Sequence, residues 1–157
     1  MLIDTYGDLV TDVSYDIFCH QTNCKGVMGA GLARQIKEAY PEVYAENVAY
    51  CELNKADNGK SMLGSNLYVK TSDGRSCVNM YAQLAYGTDR QQTDYDAFQS
   101  CLDHLARKLF LSDASLKVAF PYKIGCGLGG GKWSIIHGKL KQLSRLVKQD
   151  IYIVRKA

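Results

Sequence analysis

Two stretches of this chain put glycine where backbone amides can do chemistry: Asn23-Cys24-Lys25-Gly26-Val27-Met28-Gly29-Ala30-Gly31 and Gly125-Cys126-Gly127-Leu128-Gly129-Gly130-Gly131. Each leaves an apolar, strand-like run and enters an amphipathic, helix-like one. Glycine lets the backbone turn tightly and come close to a ligand. The first turn of a helix adds unpaired N–H groups and the positive end of its dipole, which suits a phosphate. Five of the seven residues from Gly125 to Gly131 are glycine, and ordering them costs chain entropy that a functional role would explain. For either loop alone a mobile surface turn is the plain alternative. Two loops with the same strand–loop–helix layout point instead to one diphosphate held between two helix N-termini.

Other nucleotide motifs are absent. There is no G-x-x-x-x-G-K-[ST], the glycines from Gly26 to Gly31 do not have the G-x-G-x-x-G spacing, and Lys132 is followed by Trp133, which cannot hold Mg²⁺. An ATPase or a dehydrogenase is therefore disfavoured. His20 stands at the end of the first of these strands. An imidazole there can move a proton at neutral pH, or it can be a satisfied core histidine. Cys19, His20 and Cys24 resemble a metal set only superficially, because adjacent strand residues point to opposite faces and no second ligand pair exists. No metal and no cofactor are expected.

The elements that must carry these loops follow from periodicity. Leu2 to Tyr6 and Tyr15 to His20 read as strands. Leu32, Ile36 and Ala39 form one helical face that ends at Tyr40-Pro41, where proline disfavours helix in the preceding residue. Pro41 then opens a second helix through Tyr44, Val48 and Cys51. Asn54 to Ser65 is polar loop. Asn66 to Thr71 and Ser76 to Tyr81 read as a hairpin, with Asp73-Gly74 as a two-residue turn signal. Thr93 or Asp94 caps a helix with Tyr95, Phe98, Leu102, Leu105 and Leu109 on one stripe. Lys117 to Phe120 is a short strand. Trp133, Ile136, Leu140, Leu143 and Val147 share a helical face, and Ile151 to Val154 closes the chain as a strand. Alternating helices and strands predict an α/β fold, three layers α/β/α around a mixed central sheet, as one domain over residues 1–157. Ligands in such sheets lie at the carboxyl ends of the strands.

Composition bounds the partners. Of 157 residues, 46% are hydrophobic and 22% charged, with a formal charge of +3. This is globular composition with a mild, scattered basic excess. The densest basic stretch, Lys139 to Lys148, reads as the solvated face of a helix, not as a nucleic-acid stripe. Six cysteines without a C-x-x-C pair, and a start at Met1-Leu2-Ile3-Asp4 without a signal-like run, lead us to expect reduced thiols and a cytoplasmic protein. No apolar run reaches the ~20 residues of a membrane helix, so no membrane partner is expected.

The residues from Asn23 to Ala33, Ile124-Gly125-Cys126-Gly127-Leu128 and Gly7-Asp8-Leu9 together resemble a macrodomain. The resemblance runs over essentially the whole chain, including Gln83 to Phe98 with Tyr86-Gly87 and Thr93-Asp94-Tyr95. It is closest to the branch of the terminal ADP-ribose protein glycohydrolase and the ADP-ribose 1″-phosphate phosphatases. It implies a monomer that takes an ADP-ribose-type small molecule, free or carried on an ADP-ribosylated protein or nucleic acid. By position, Asp8 with Leu9 would meet the adenine and Asn23 the distal ribose. Val27, Met28, Gly29, Ala30 and Gly31 would line the diphosphate, and Gly125, Cys126, Gly127, Leu128, Gly129 and Gly130 would close over it.

The resemblance also shows where this chain departs. The glycohydrolase's nucleophilic lysine falls near Gln83 and its second-loop aspartate at Gly129, so neither group is present. Lys25, Lys123 and Lys132 are other amines near the loops. The phosphatase branch fits better, because a histidine opens its His-x-x-Asn-Cys stretch as His20 does here. His20 and Asn23 are thus the catalytic candidates for hydrolysis at the distal ribose, with Asp89 and Asp94 as carboxylate partners to be placed. A non-catalytic ADP-ribose reader is the alternative. Tyr152 is left between stacking on adenine and filling the sheet edge.

Overall fold

The computed structural model describes residues 1–157. Six strands and four helices follow the chain as β1 (Leu2–Gly7), β2 (Ile17–Asn23), α1 (Gly31–Ala39), α2 (Pro41–Leu53), β3 (Asn66–Lys70), β4 (Ser76–Gln83), α3 (Tyr95–Phe110), β5 (Val118–Pro121), α4 (Trp133–Leu146) and β6 (Ile151–Lys156). The strands form one sheet in the order β1-β6-β5-β2-β4-β3. All neighbours are parallel except β3, which runs antiparallel to β4. No helix is long and apolar enough to cross a membrane.

Strand alternation sorts the core into two layers. Ile17, Cys19, Val78, Met80, Val118, Phe120, Ile151 and Ile153 face α3 and α4, where they meet Phe98, Leu102, Leu105, Leu109, Ile136, Leu140 and Leu143. Phe18, Cys77, Ala119 and Val154 face the other way, toward Ile36 of α1 and Val43 of α2. Burial on both faces explains why β2 and β4 show no apolar–polar alternation, and why their polar residues, such as His20 and Asn79, pair with each other inside the fold. The α/β/α sandwich expected from the sequence is the one observed. Asp94, not Thr93, caps α3, accepting from the Ala97 N–H at 3.0 Å.

Two local expectations differ from the structure. The β3–β4 connection spans Thr71 to Arg75 and is not a two-residue turn. Thr71 Oγ1 bonds Asp73 Oδ1 at 2.6 Å and accepts from the Arg75 N–H at 3.0 Å, so side chains hold a wider loop. The buried face of α2 is Val43, Asn47 and Cys51, one step away from the stripe through Tyr44 and Val48. A polar Asn47 looks solvated in a sequence. Here its Oδ1 accepts from the Tyr81 hydroxyl at 2.6 Å beneath the helix.

Arg75 belongs to the interior. It is 3% exposed, and its guanidinium donates to the carbonyls of Leu9, Val10 and Tyr15 at 2.8 Å each. It lies 4.0 Å from the centre of the Phe18 ring. Through those carbonyls it fixes the segment that follows β1.

A candidate anion-binding cleft

At the carboxyl ends of β2, β4 and β5 the two glycine loops face each other across one cleft of about 550 Å³. Ala30 and Leu128 both line it. Its size suits a nucleotide-scale ligand. The first loop is shaped by Asn23, whose Oδ1 accepts from the N–H groups of Lys25 (3.0 Å) and Val27 (3.3 Å) while its Nδ2 donates to Val27 O at 2.8 Å. The extended Ala30 and left-handed Gly31 (φ 56°) then lead directly into α1. The second loop is closed on itself, with Gly125 O accepting from Gly131 N–H at 2.9 Å and from Thr93 Oγ1 at 2.6 Å.

What remains unpaired defines the chemistry. The N–H groups of Gly29, Ala30, Gly31, Leu32 and Ala33 on one wall, and of Gly125, Gly127, Leu128 and Gly129 on the other, make no hydrogen bond within the protein. All of these residues line the cleft. Converging backbone donors with a helix N-terminus behind them form a receptor for a delocalised anion. No carboxylate lines the cleft, and Lys123, held at φ 60°, brings its only ammonium side chain.

Of the residues singled out from the sequence, the cleft brings together His20, Asn23, Val27, Gly29, Ala30, Gly31, Gly125, Gly127, Leu128 and Gly129. Lys123 and Gln83 line it as well, and the remaining candidates lie outside its lining. Met28 and Leu9 are buried in the core beneath α1, because each is an apolar side chain at an inward-turned position. Cys126 packs toward the opposite layer, under α3 and α4, and Gly130 sits on the outer side of its loop against Gln91. Asp8 turns its Oδ1 back on its own loop, accepting from Val10 and Thr11 N–H. The Thr11 N–H, with that of Val10 and the Lys156 ammonium, holds the Asp8 carboxyl below the usual carboxylate range, and its Oδ2 stands 3.9 Å from Lys156 Nζ. Asp94 is occupied as a helix cap and Asp89 lies on the exposed 85–92 loop. Lys25 ties down Asn58 O, and Lys132 is exposed. Tyr152 packs on Tyr15, with ring centres 5.5 Å apart.

Sequence reading missed a polar cluster at the cleft floor. Gln21 Nε2 donates to Gln83 Oε1 and to Thr93 Oγ1, both at 2.8 Å, and Gln83 Nε2 donates to Ala85 O. Three polar residues far apart in the chain carry no local pattern, so only the parallel pairing of β2 with β4 and the bridge between Gln83 and Thr93 reveal them.

His20 is 2% exposed. Its Nε2 lies 2.5 Å from Asn79 Oδ1, and its Nδ1 is buried without a protein partner. Burial, only partly offset by the Asn79 bond, lowers its pKa from 6.5 to about 4. The ring is therefore neutral at pH 7, with Nε2–H donating to Asn79 and Nδ1 left as an acceptor. Between pH 6.5 and 4 the unfolded chain binds a proton here that the folded chain does not, so stability falls as pH falls through that window. The expected loss is on the order of 3 kcal/mol at the lower end. Urea unfolding at pH 7, 5.5 and 4.5 should show it, and His20→Asn should flatten it; an equal slope in both proteins would assign the acid sensitivity to other groups.

Comparison with known proteins places this geometry in context. The family model described as Macro domain matches residues 19–137. An ADP-ribose 1″-phosphate phosphatase from Meyerozyma guilliermondii is 26% identical over 170 aligned positions, covering 94% of this chain and 95% of the relative. A DNA ADP-ribosyl glycohydrolase from Mycobacterium tuberculosis is 28% identical over 137 positions, covering 85% of this chain but 36% of the relative. Among solved structures, the macrodomain of Mycobacterium tuberculosis DarG superposes with a TM-score of 0.82 at 24% identity, covering 99% of this chain and 97% of that one.

Proposed function

The chain belongs to the macrodomain family, and on that premise we propose that it binds ADP-ribose or a derivative and hydrolyses a bond at the distal ribose. The observation that carries the binding is the set of unpaired N–H groups on the facing walls of the cleft. In this reading the diphosphate takes those donors, and the distal ribose lies toward Asn23 and Gln83. The phosphatase among the relatives supports a phosphate monoester at the 1″ position as substrate.

The chain's own groups constrain the chemistry. Gln83 carries an amide and Gly129 no side chain, so neither an amine nucleophile nor a carboxylate is available there. Water is the nucleophile. With no carboxylate in the cleft, His20 is the imidazole left to take its proton; Nε2–H stays on Asn79 and orients the ring, and the buried Nδ1 receives the proton through an intervening water. Loop amides stabilise the charge that develops on the transferred oxygens. Because His20 stays neutral above about pH 4, the rate should remain flat from pH 8 down to about 5, with no inflection near 6.5.

A thermal-shift panel of ADP-ribose, ADP, NAD and AMP tests the ligand class, since a ligand that binds only the folded state raises its stability by mass action. Phosphate release from ADP-ribose 1″-phosphate tests the reaction. His20→Ala should abolish release while ADP-ribose still binds; release at the parent rate would remove His20 from the mechanism. The absent lysine and aspartate favour one second reading, a non-catalytic reader of ADP-ribosyl groups. Micromolar binding without turnover of any ADP-ribosyl substrate would establish it.

A further inference from the structure

A second hollow, of about 340 Å³, opens on the α4 side of the sheet edge formed by β1 and β6. Its wall is assembled from Asp4 and Tyr6 of β1, Tyr122 after β5, Trp133 and His137 of α4, and Arg155 of β6. Tyr6 and Arg155 are register partners on neighbouring parallel strands. The Arg155 guanidinium lies 3.8 Å from the centre of the Tyr122 ring and 5.7 Å from that of Tyr6. Trp133 stacks edge-on against Tyr122 at 5.1 Å and tilts against His137 at 5.4 Å. Arg155 has no carboxylate within ion-pairing distance, and Tyr6 is 69% exposed. The Lys123 ammonium is 5.6 Å from the same Tyr122 ring.

We propose that this hollow binds a nucleotide unit of single-stranded nucleic acid, the base stacking among Tyr6, Arg155 and Trp133 and the phosphate meeting the free guanidinium. Flat rings beside a guanidinium plane, with the Lys123 ammonium near the Tyr122 ring, are what a base and its phosphate require. An acidic peptide fits less well, because it would leave the exposed rings unmatched, whereas Asp4 on the wall repels carboxylate and phosphate alike and keeps either anion on the Arg155 side. The four chain segments involved are spread from Asp4 to Arg155, so the basic and aromatic residues that look scattered in the sequence become one surface only in the fold. The site is separate from the ADP-ribose reading: it shares only Tyr122 with the cleft.

Trp133 is the single tryptophan of the chain and reports directly on the hollow. A short oligothymidylate titrated at low salt, with ADP-ribose saturating so that cleft occupancy is constant, should quench Trp133 fluorescence in a saturable manner. Added salt should weaken the binding, because phosphate contacts release counterions. Tyr6→Ala and Arg155→Ala, both at exposed positions, should weaken it at least about ten-fold each, in line with the loss of one stacking partner, while leaving the ADP-ribose thermal shift unchanged. Thymidine monophosphate quenching at the same concentration as the strand would assign the hollow to a free nucleotide and overturn the strand assignment. Equal quenching by polyglutamate, no quenching at all, or quenching unchanged in both variants would overturn the proposal outright.

Discussion

Gly129→Ala is expected to lower ADP-ribose affinity at least about 100-fold, equivalent to roughly 2.7 kcal/mol, and to lower the melting temperature as well. A Cβ built on Gly129 falls 2.5 Å from Thr93 Oγ1, 2.8 Å from Gly125 O and 3.1 Å from Gln21 Nε2. Two of these are the partners of the bond that closes the second loop, and the third belongs to the polar floor beneath it. Gly129 O also accepts the N–H groups of Gln92 (2.8 Å) and Thr93 (3.0 Å), so the backbone cannot move aside freely. One methyl group must therefore open the loop and scatter its unpaired amides. Gly127→Ala is the control, because a Cβ there meets nothing within 4 Å, and its melting temperature should match the parent's. Calorimetric titration with ADP-ribose and thermal unfolding of the two variants decide the matter. Parent-like affinity in Gly129→Ala would show that the Thr93–Gly125 closure is dispensable. Restoring the family's carboxylate by Gly129→Asp should fail for the same steric reason, and Thr93→Ala in the Gly129→Ala background should recover part of the lost affinity.

Arg75→Met should cost about 3–5 kcal/mol of stability, because each buried carbonyl left without its donor costs about 1–3 kcal/mol. The carbonyls of Leu9 and Tyr15 would be left buried without their donor, Val10 O would keep only the 3.4 Å bond from the Tyr40 hydroxyl, and that hydroxyl, 3.1 Å from the guanidinium, would lose a partner too. For a chain of this length that corresponds to a drop on the order of 10 °C or more in melting temperature. Arg75→Lys keeps the charge but has no planar fork to reach three separate carbonyls, so it should fall between parent and Met. Urea unfolding followed through Trp133 measures all three proteins. A loss below about 1 kcal/mol in Arg75→Met would mean that the segment after β1 holds itself in place.

The features legible from the sequence were those with local physical signatures. The glycine loops stood out because their composition is costly, the helices because their apolar stripes repeat, and the α1–α2 break because Pro41 forbids continuation. What escaped were features decided by tertiary contacts. The buried face of α2 keeps Cys51 but takes Val43 and Asn47 in place of Tyr44 and Val48, because Asn47 bonds across to Tyr81, which no propensity encodes. Met28 was placed with its glycine neighbours, but the loop turns its side chain into the core while Gly29 and Ala30 stay at the cleft. Gln21 and Gln83 meet because β2 and β4 lie side by side in parallel, and Thr93 joins them through its antiparallel bridge to Gln83. The Asp73-Gly74 signal was real but incomplete, since Thr71 and Arg75 widen the turn and draw an arginine inward.

β1 has a single hydrogen-bonded neighbour, and that neighbour is the last strand of the chain, with Leu2 opposite Ile151 and Gly7 opposite Lys156. β1 therefore docks only once β6, which is far away in sequence, has joined β5. Pairings this distant in sequence are slow to form, because loop closure is paid for before the contact rewards it. Until then Leu2 to Gly7 and the partly apolar flank of β5 are both open to other chains. This edge is thus the sheet's most sequence-distant closure, and conditions that slow closure or crowd partly folded chains should act on it first.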